Sequence, residues 1–285
     1  MAMPTATRFA PSPTGRLHLG HALSACVAYD LARASGNGHF LLRIEDIDSS
    51  RVRPEYDAGI IEDLQWLGLH WDGTILRQSE RHAAYQQAFE RLRAMNLVYP
   101  CFCTRRAIQA EFASMGGAPH GPEGPTYPGT CKRMGCEERN ERMDSGEAHA
   151  WRLDSQAISN LVGTLSFEDQ RHGCIGVSPE LLGDVVIMRK DIGVAYHLAV
   201  IIDDAHQQIN LISRGEDLLA STHVHRLLQA ALKLPEPLYH HHALLLDAEG
   251  KRLAKRMDSL SIRQLRDSGR EPEELLNQIR SFASL

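Results

Sequence analysis

The chemistry of this chain starts from two histidines. In Arg8-Phe-Ala-Pro-Ser-Pro-Thr-Gly-Arg-Leu-His-Leu-Gly-His21, His18 and His21 stand three apart, so a helical turn puts both rings on one side. Two imidazole donors beside free backbone N–H groups at a helix start suit a nucleotide phosphate. Gly20 between them leaves no side chain where a flat ring approaches. An ordinary βα unit with surface histidines fits the same spacing. Glu45 opens an acidic run, Glu45-Asp-Ile-Asp48, beyond an apolar segment. A carboxylate at the carboxyl end of a strand can hold an ammonium group, or it can belong to a solvated turn. Cys101-Phe-Cys103 and Tyr127-Pro-Gly-Thr-Cys131 offer three thiols and a phenol, and Cys136 competes for a fourth place. Zinc takes four such ligands in a tetrahedron, whereas unpaired loop cysteines need no metal. Arg214 follows an apolar run, where a guanidinium can fork onto a carboxylate ligand or pair with Glu216 or Asp217. Gly250-Lys-Arg-Leu-Ala-Lys-Arg256 places four cations in one loop, suited to anions or simply to solvent.

These groups need positioning elements. Residues 5–10 read as a strand, Pro11 and Pro13 break it, and Gly15 permits a tight turn. Leu19, Leu23, Val27 and Leu31 recur at helical period. Residues 40–44 form a second strand, and a helix runs from Pro54 to its end at Gly68. Ser79 is the expected N-cap of another helix, with Ala84, Ala88, Leu92 and Met95 on its apolar face. From Cys101 to about Gly146 the chain turns rich in Gly, Pro and charge, and such a segment needs a staple to be ordered. Strands are expected at 150–153 and 184–189, then a turn and a strand over 194–202 that carries Tyr196 and His197. A further strand spans 209–212, and a helix follows Arg214. His240 to His242 read as a loop without a partner carboxylate, and Cys26 and Cys174 as buried small apolar residues. Residues 260–283 read as one or two amphipathic helices.

Composition sets the class. The chain has 285 residues, 43% hydrophobic and 24% charged, as in ordinary soluble domains. A net charge of −5 leaves any nucleic-acid site to a local patch. No apolar run reaches the roughly 20 residues of a membrane span, and no signal segment is visible, so the cytoplasm is expected. Six cysteines in such a chain point to metal or free thiols before disulfides. Neither a Walker-type phosphate loop nor a metalloprotease His-Glu-x₂-His is present.

The motifs together resemble one family. His18-Leu-Gly-His21 resembles the His-Ile-Gly-His signature of class I aminoacyl-tRNA synthetases, and the lead-in from Arg8 resembles the glutamyl and glutaminyl branch. Arg43-Ile-Glu-Asp-Ile-Asp48, Tyr196 to Asp204 and Arg214-Gly-Glu-Asp-Leu-Leu219 are similar to its amino-acid pocket. Arg252-Leu-Ala-Lys-Arg256 resembles a degenerate second signature, with Lys255 at the essential lysine. Ala254 there replaces the serine, so that hydroxyl contact is absent. The resemblance covers about residues 5–256 in correct order.

It implies an α/β fold: a Rossmann-like parallel-sheet catalytic domain with a zinc-bearing insertion and a small C-terminal helical tail. Halves of the catalytic domain at 1–98 and 191–236 would flank an insertion at 99–190, with 237–285 holding the signature loop and tail. The implied reaction is ATP-dependent activation of L-glutamate to its adenylate, with Mg²⁺ accompanying ATP and no protein nucleophile. His18, Gly20, His21 and Lys255 would bind ATP, with His18, His21 and Lys255 catalytic. Arg8, Phe9, Ala10, Pro11, Ser12, Glu45, Tyr196 and Arg214 would bind glutamate, Glu45 taking the α-amino group. Cys101, Cys103, Tyr127 and Cys131 would hold one structural zinc, as in one subgroup of the branch. Only about 29 residues follow Arg256, too few for the usual helical anticodon-reading domain. The chain therefore resembles truncated members of the branch. In these, activation needs no tRNA, and glutamate is esterified to queuosine in the anticodon of tRNA(Asp). Monomeric action is expected. The alternatives are an inactive synthetase-like module that binds tRNA or a protein partner, or charging of an ordinary tRNA(Glu) 3′ end with a separate anticodon-binding partner.

Overall fold

The computed structural model describes residues 4–34, 36–104, 106–108, 120–121, 124–245 and 260–283. The buried strand β1 (Ala6–Phe9) runs into the Pro- and Gly-rich turn, and helix α1 (Leu19–Ala34) returns to β2 (His39–Ile44). The two strands pair in parallel, which requires a crossover of the kind α1 provides. Helix α2 (Pro54–Trp66) begins on a proline, whose missing N–H costs nothing at that position. A short β3 (Leu76–Arg77) then extends the sheet in parallel beside β2.

Ser79 is not a helix cap. Its N–H and Oγ–H donate to the Asp46 carboxylate at 2.8 and 2.7 Å. A 3₁₀ turn intervenes and α3 (His82–Ala94) starts after Arg81. Its buried side is Tyr85, Ala88, Phe89 and Leu92, while Met95 is exposed. The stripe is rotated from the expected one because two aromatic residues turn inward, and the Tyr85 hydroxyl donates to buried Asp203 at 2.7 Å.

Strand β4 (Val98–Cys101) is followed by a two-residue pair, β5 (His120–Gly121) and β6 (Gly124–Pro125), and by α4 (Cys136–Asp144). Then come β7 (Ala150–Leu153), α5 (Ser155–Val162), β8 (Ser166–Asp169), β9 (Gly173–Gly176), β10 (Val186–Arg189) and β11 (Gly193–Val194). β4, β7, β10 and β11 form their own antiparallel sheet. Cys174, expected in a core, is exposed on β9, a strand that among the described residues pairs with β8 alone.

The strand expected over 194–202 ends at Val194. Tyr196 and His197 instead open α6 (Tyr196–His206). Four consecutive apolar residues, 198–201, are all buried there, and such a run reads the same in a strand as in an enclosed helix. β12 (Leu211–Gly215), α7 (Leu219–Leu232) and β13 (Leu238–His242) follow. β12 pairs in parallel with β13, and β13 with β8. His240 to His242 are therefore strand, not loop; their polar side chains hid the strand. Asn210 joins the β1–β2–β3 sheet to the parallel β12–β13 pair: its N–H donates to Ala6 O at 3.2 Å, and its Oδ1 accepts from Ala6 N–H at 2.8 Å.

The chain closes with α8 (Ile262–Asp267), started by a Ser261/Gln264 capping box, and α9 (Pro272–Ala283). Leu275 and Ile279 of α9 join the core built on α1, and Arg280 pairs with Asp30 at 2.9 Å. This explains why α1 buries Ala22, Ala25, Ala28 and Ala32 as well as Leu23 and Val27: it is covered on two sides. No helix among the described residues is long and apolar enough to cross a membrane.

One ion triad ties these layers together. Asp204 of α6 accepts from Arg8 Nε and from Arg43 Nη1, each at 2.8 Å, with all three side chains buried. Burial alone would raise the Asp204 pKa, but Arg43 and Arg8 hold it below the usual carboxylate range. Asp204→Ala strands two buried cations. We expect a loss of about 3–5 kcal/mol in urea unfolding; a change below about 1 kcal/mol would show that the triad is not structural.

Candidate active site

A cavity of about 570 Å³ opens at the carboxyl ends of β1, β2, β12 and β13. Ligands of open parallel sheets bind at that edge. Arg8, Phe9, Ala10, Pro11, Ser12, His18, Gly20, His21, Glu45, Tyr196 and Arg214 all line it. Segments 204 and 205 residues apart thus meet, because β1 and β12 are neighbours. Lys255, Arg252 and Ala254 lie outside the described residues. Ser24, Asp217 and His242 also line the cavity. The sequence offered Asp217 only as an ion-pair partner of Arg214 within the pocket-like segment and His242 only as part of a loop, and it gave no signal for Ser24 beyond adjacency to His21.

The two histidines are fixed by backbone donors. His18 N–H donates to His21 Nδ1 at 3.3 Å, and Gly20 N–H to His18 Nδ1 at 3.1 Å. A nitrogen that accepts from an N–H carries no proton, so both rings are neutral and keep Nε2–H as their donor. Burial, then the neighbouring His18, push His21 down to about 4; burial lowers His18 as well. The ring centroids lie 3.7 Å apart, which two imidazolium ions would not tolerate. The ring that Gly20 accommodates is that of His18: a Cβ at Gly20 would lie 3.1 Å from His18 Cε1. Gly215 serves a similar end, since a Cβ there would collide with Asp217 and Leu244.

Charges in the cavity are unevenly compensated. Arg8 commits Nε to Asp204 and Nη1 to Ser213 O at 3.0 Å. Arg214 is only 5% exposed, yet no carboxylate among the described residues stands within ion-pair distance of it. The pairing with Glu216 or Asp217 open to the sequence does not form. Its Nη1 donates to His225 Nδ1 at 3.1 Å and, more weakly, to Tyr196 Oη at 3.4 Å; Nη2 donates to Thr222 Oγ1 at 2.6 Å. Glu45 has its backbone held by Pro11 O at 2.9 Å, and its carboxylate stands 3.8 Å from Arg43 Nε. Desolvation outweighs Arg43 and Arg8 and pushes its carboxyl from 4.5 up to about 7. The pocket thus presents an unpaired cation and a desolvated carboxyl, a complement to a zwitterion.

The cysteine cluster is separate. Cys101, Cys103 and Cys131 hold their sulfurs within 4.8 Å of one another, a group able to take a metal ion. Tyr127 Oη lies 3.4 Å from Cys101 Sγ and 3.5 Å from Cys103 Sγ, and Cys103 Sγ lies 3.5 Å from Cys131 Sγ. A tetrahedral zinc with bonds near 2.3 Å to sulfur has ligand–ligand edges of about 3.5–3.8 Å. The donor set therefore fits zinc. Arg152 donates Nε–H to Cys101 Sγ at 3.3 Å and lies 3.7 Å from the Tyr127 ring centroid, a cation beside donors that bind metal as anions. Cys136 is exposed at the start of α4, outside this cluster.

The Glu45 shift has a thermodynamic signature. A carboxyl whose folded pKa lies above its unfolded value loses stability as pH rises through that window, from about 4.5 to 7. Glu45→Gln removes the penalty. The variant should unfold about 1–3 kcal/mol later than the parent at pH 8 and equally at pH 4.5. Equal gains at both pH values in chemical denaturation would assign the effect to packing instead.

Comparison with known proteins accords with this geometry. Residues 4–284 match the family model of tRNA synthetases class I (E and Q), catalytic domain. A glutamyl-Q tRNA(Asp) synthetase of Rhodobacter capsulatus is 46% identical over 274 residues, covering 94% of this chain and 97% of that protein. One from Nocardia farcinica is 42% identical, covering 95% and 82%. The crystal structure of a glutamate tRNA ligase from Elizabethkingia meningosepticum, in complex with its amino acid, superposes with a TM-score of 0.80 at 28% identity. That match covers 97% of this chain and 60% of the ligase. With nearly its whole length matched in sequence and fold, the chain belongs to the class I tRNA synthetases of the E and Q type, within the family of the glutamyl-Q tRNA(Asp) synthetases.

Proposed function

We propose that the chain activates L-glutamate with ATP, without tRNA, and transfers it to queuosine in the anticodon of tRNA(Asp). The observation that carries the first half is the buried Arg214 without a carboxylate partner among the described residues, in the same cavity as Glu45. A substrate with an ammonium group for Glu45 and a carboxylate for Arg214 completes both. Arg8 contributes as a shaped donor more than as free charge, since Asp204 already neutralises it. With Arg214 on the side-chain carboxylate, glutamine offers it only a neutral amide. A charge-assisted hydrogen bond contributes about 1.5–3 kcal/mol, so glutamate should be preferred roughly 10–100-fold.

Activation is an in-line attack of the substrate α-carboxylate on the α-phosphorus of ATP, with pyrophosphate leaving. The protein supplies position and charge stabilisation. The neutral Nε2–H donors of His18 and His21 take the phosphates, and Lys255 of the second signature takes the developing charge on pyrophosphate. Mg²⁺ arrives with the nucleotide. In the second step a hydroxyl of the queuosine cyclopentene-diol attacks the adenylate carbonyl and AMP leaves. The support for that acceptor is the name shared by relatives matched along more than 80% of their own length.

The experiment uses labelled glutamate or glutamine, ATP, and tRNA(Asp) with or without queuosine. ATP–pyrophosphate exchange should proceed with glutamate alone, and label should pass only to the queuosine-bearing tRNA. Equal exchange with glutamine sinks the amino-acid assignment. Comparable charging of unmodified tRNA(Glu) sinks the acceptor. Absence of exchange with any amino acid would favour the inactive tRNA-binding module.

We also propose that Cys101, Cys103, Tyr127 and Cys131 hold one structural zinc. Elemental analysis of protein purified without added metal should find about one zinc per chain. Cys136→Ser should keep it, whereas Cys131→Ala should lose it and expose the surrounding turn to proteolysis. Retention of full zinc by Cys131→Ala overturns the assignment.

A further inference from the structure

Among the described residues, every short partner of Arg214 is neutral. Register places it directly across from His241 on β13, and α7 brings Thr222 and His225 one turn apart onto its Nη atoms. Its Nε–H donates to His241 Nε2 at 3.1 Å. On the far side of that ring, His241 Nδ1–H donates to Asp169 Oδ2 at 2.6 Å. Asp169, at the end of β8, also accepts from the N–H groups of His241, Arg171 and His172 at 3.1, 2.9 and 3.0 Å. Both oxygens are thus occupied, and the Asp169 and His241 side chains have no solvent exposure.

We propose that Asp169 and His241 are positioning residues that give this pocket its preference for a substrate with a carboxylate side chain. The inference rests on the reading of Arg214 as the anchor of that carboxylate. Asp169 fixes His241 in its Nδ1–H tautomer, so the Nε2 lone pair faces Arg214 and holds it without neutralising it. A carboxylate in direct contact would satisfy Arg214 and compete with the substrate. No partner at all would leave a buried cation alone, with its desolvation uncompensated. An imidazole between the charges avoids both: the counter-ion stays one ring away, and the second Nη2–H, with the Nη1–H held only at 3.4 Å by Tyr196, is left for a ligand. Burial, then Arg214, push His241 down to about 4 and His225 well below its usual value, so both rings stay neutral acceptors at pH 7.

The network discriminates between two near-isosteric substitutions. All four bonds to Asp169 come from N–H donors, so the amide introduced by Asp169→Asn must set its own NH₂ against one pair of them. On the His241 side this moves the ring proton to Nε2, donor against donor at Arg214; the same tautomer error follows Asp→Asn in a catalytic triad. Glutamine at 241, by contrast, offers an amide N–H toward Asp169 and a carbonyl toward Arg214.

The test uses the full chain, with affinities for glutamate, glutamine and ATP measured by calorimetry and the His241 ring read by ¹⁵N chemical shifts. The wild type should show the Nδ1–H tautomer. Asp169→Asn should weaken glutamate about tenfold or more, leave ATP within about twofold and shrink the glutamate-to-glutamine preference. His241→Gln should keep that preference within about threefold of wild type. An Nε2–H tautomer in the wild type overturns the proposal, as does an unchanged glutamate affinity in Asp169→Asn. Parallel loss of ATP and glutamate affinity in His241→Gln would reduce the pair to scaffolding and also overturn it. If wild type binds glutamine as tightly as glutamate, the substrate reading fails instead, and the ring spectrum alone decides how Arg214 is held.

Discussion

Asp204 holds Arg8 and Arg43 on a single oxygen, and that contact couples the chemistry of the pocket to the fold. Arg8 lies on β1, Arg43 on β2 and Asp204 on α6, so one carboxylate fixes two parallel strands to the helix that leads into β12. Its neighbour Asp203 faces the other way. It accepts from Gln78, Arg81 and Tyr85 at 2.8, 2.6 and 2.7 Å, which ties α3 to the same helix. Consecutive aspartates on a buried helix would be costly if unpaired. Here each is satisfied by cations and donors from a different layer, and the strand ends that carry Glu45 and Arg214 are set in register as a result.

Within that frame, the charges least compensated inside the protein are those that line the cavity. Arg8 and Arg43 share the committed Asp204, Glu45 is desolvated until its carboxyl titrates near neutrality, and Arg214 rests among neutral acceptors. Stability would be served by pairing Glu45 and Arg214 closely within the protein. In the proposed reading each is instead kept for the zwitterionic substrate, and the energy withheld from the empty pocket is recovered when the substrate completes it. Histidine takes the same part at two places. At His18 and His21, and again at His225 and His241, a ring nitrogen accepts from an N–H, so the imidazole is neutral and its tautomer fixed. In one pair this leaves donors for phosphate; in the other it leaves a cation at full strength.

The cysteine cluster solves a different problem. The segment around it contributes little apolar area, a small group of Tyr99, Cys101, Phe102 and Cys131 with Tyr127 against it. Cys101, Cys103 and Cys131, grouped so that they could take a metal ion, offer a staple in place of a hydrophobic core that this composition cannot build. Its distance from the cavity in the chain and its own small core make it a means of ordering the polypeptide beside the catalytic sheet.

Local signals determined much of this protein. The proline break after β1, the helical period of α1, the His18–His21 spacing, Glu45 beyond β2 and the Cys-x-Cys with Tyr-x₃-Cys were all legible, because each depends on neighbours within a few residues. What the tertiary structure decided depends on partners far along the chain. The run 198–201 became a helix because it is enclosed on every side, a condition periodicity does not report. His240 to His242 became a strand beside β12, and His241 found Asp169, 72 residues away, only through the pairing of β13 with β8. Arg214 was recognisable as a candidate anchor, but its freedom from Glu216 and Asp217 was not. A buried charge takes its partners from whatever strands and helices are packed against it, and sequence separation carries no information about that packing.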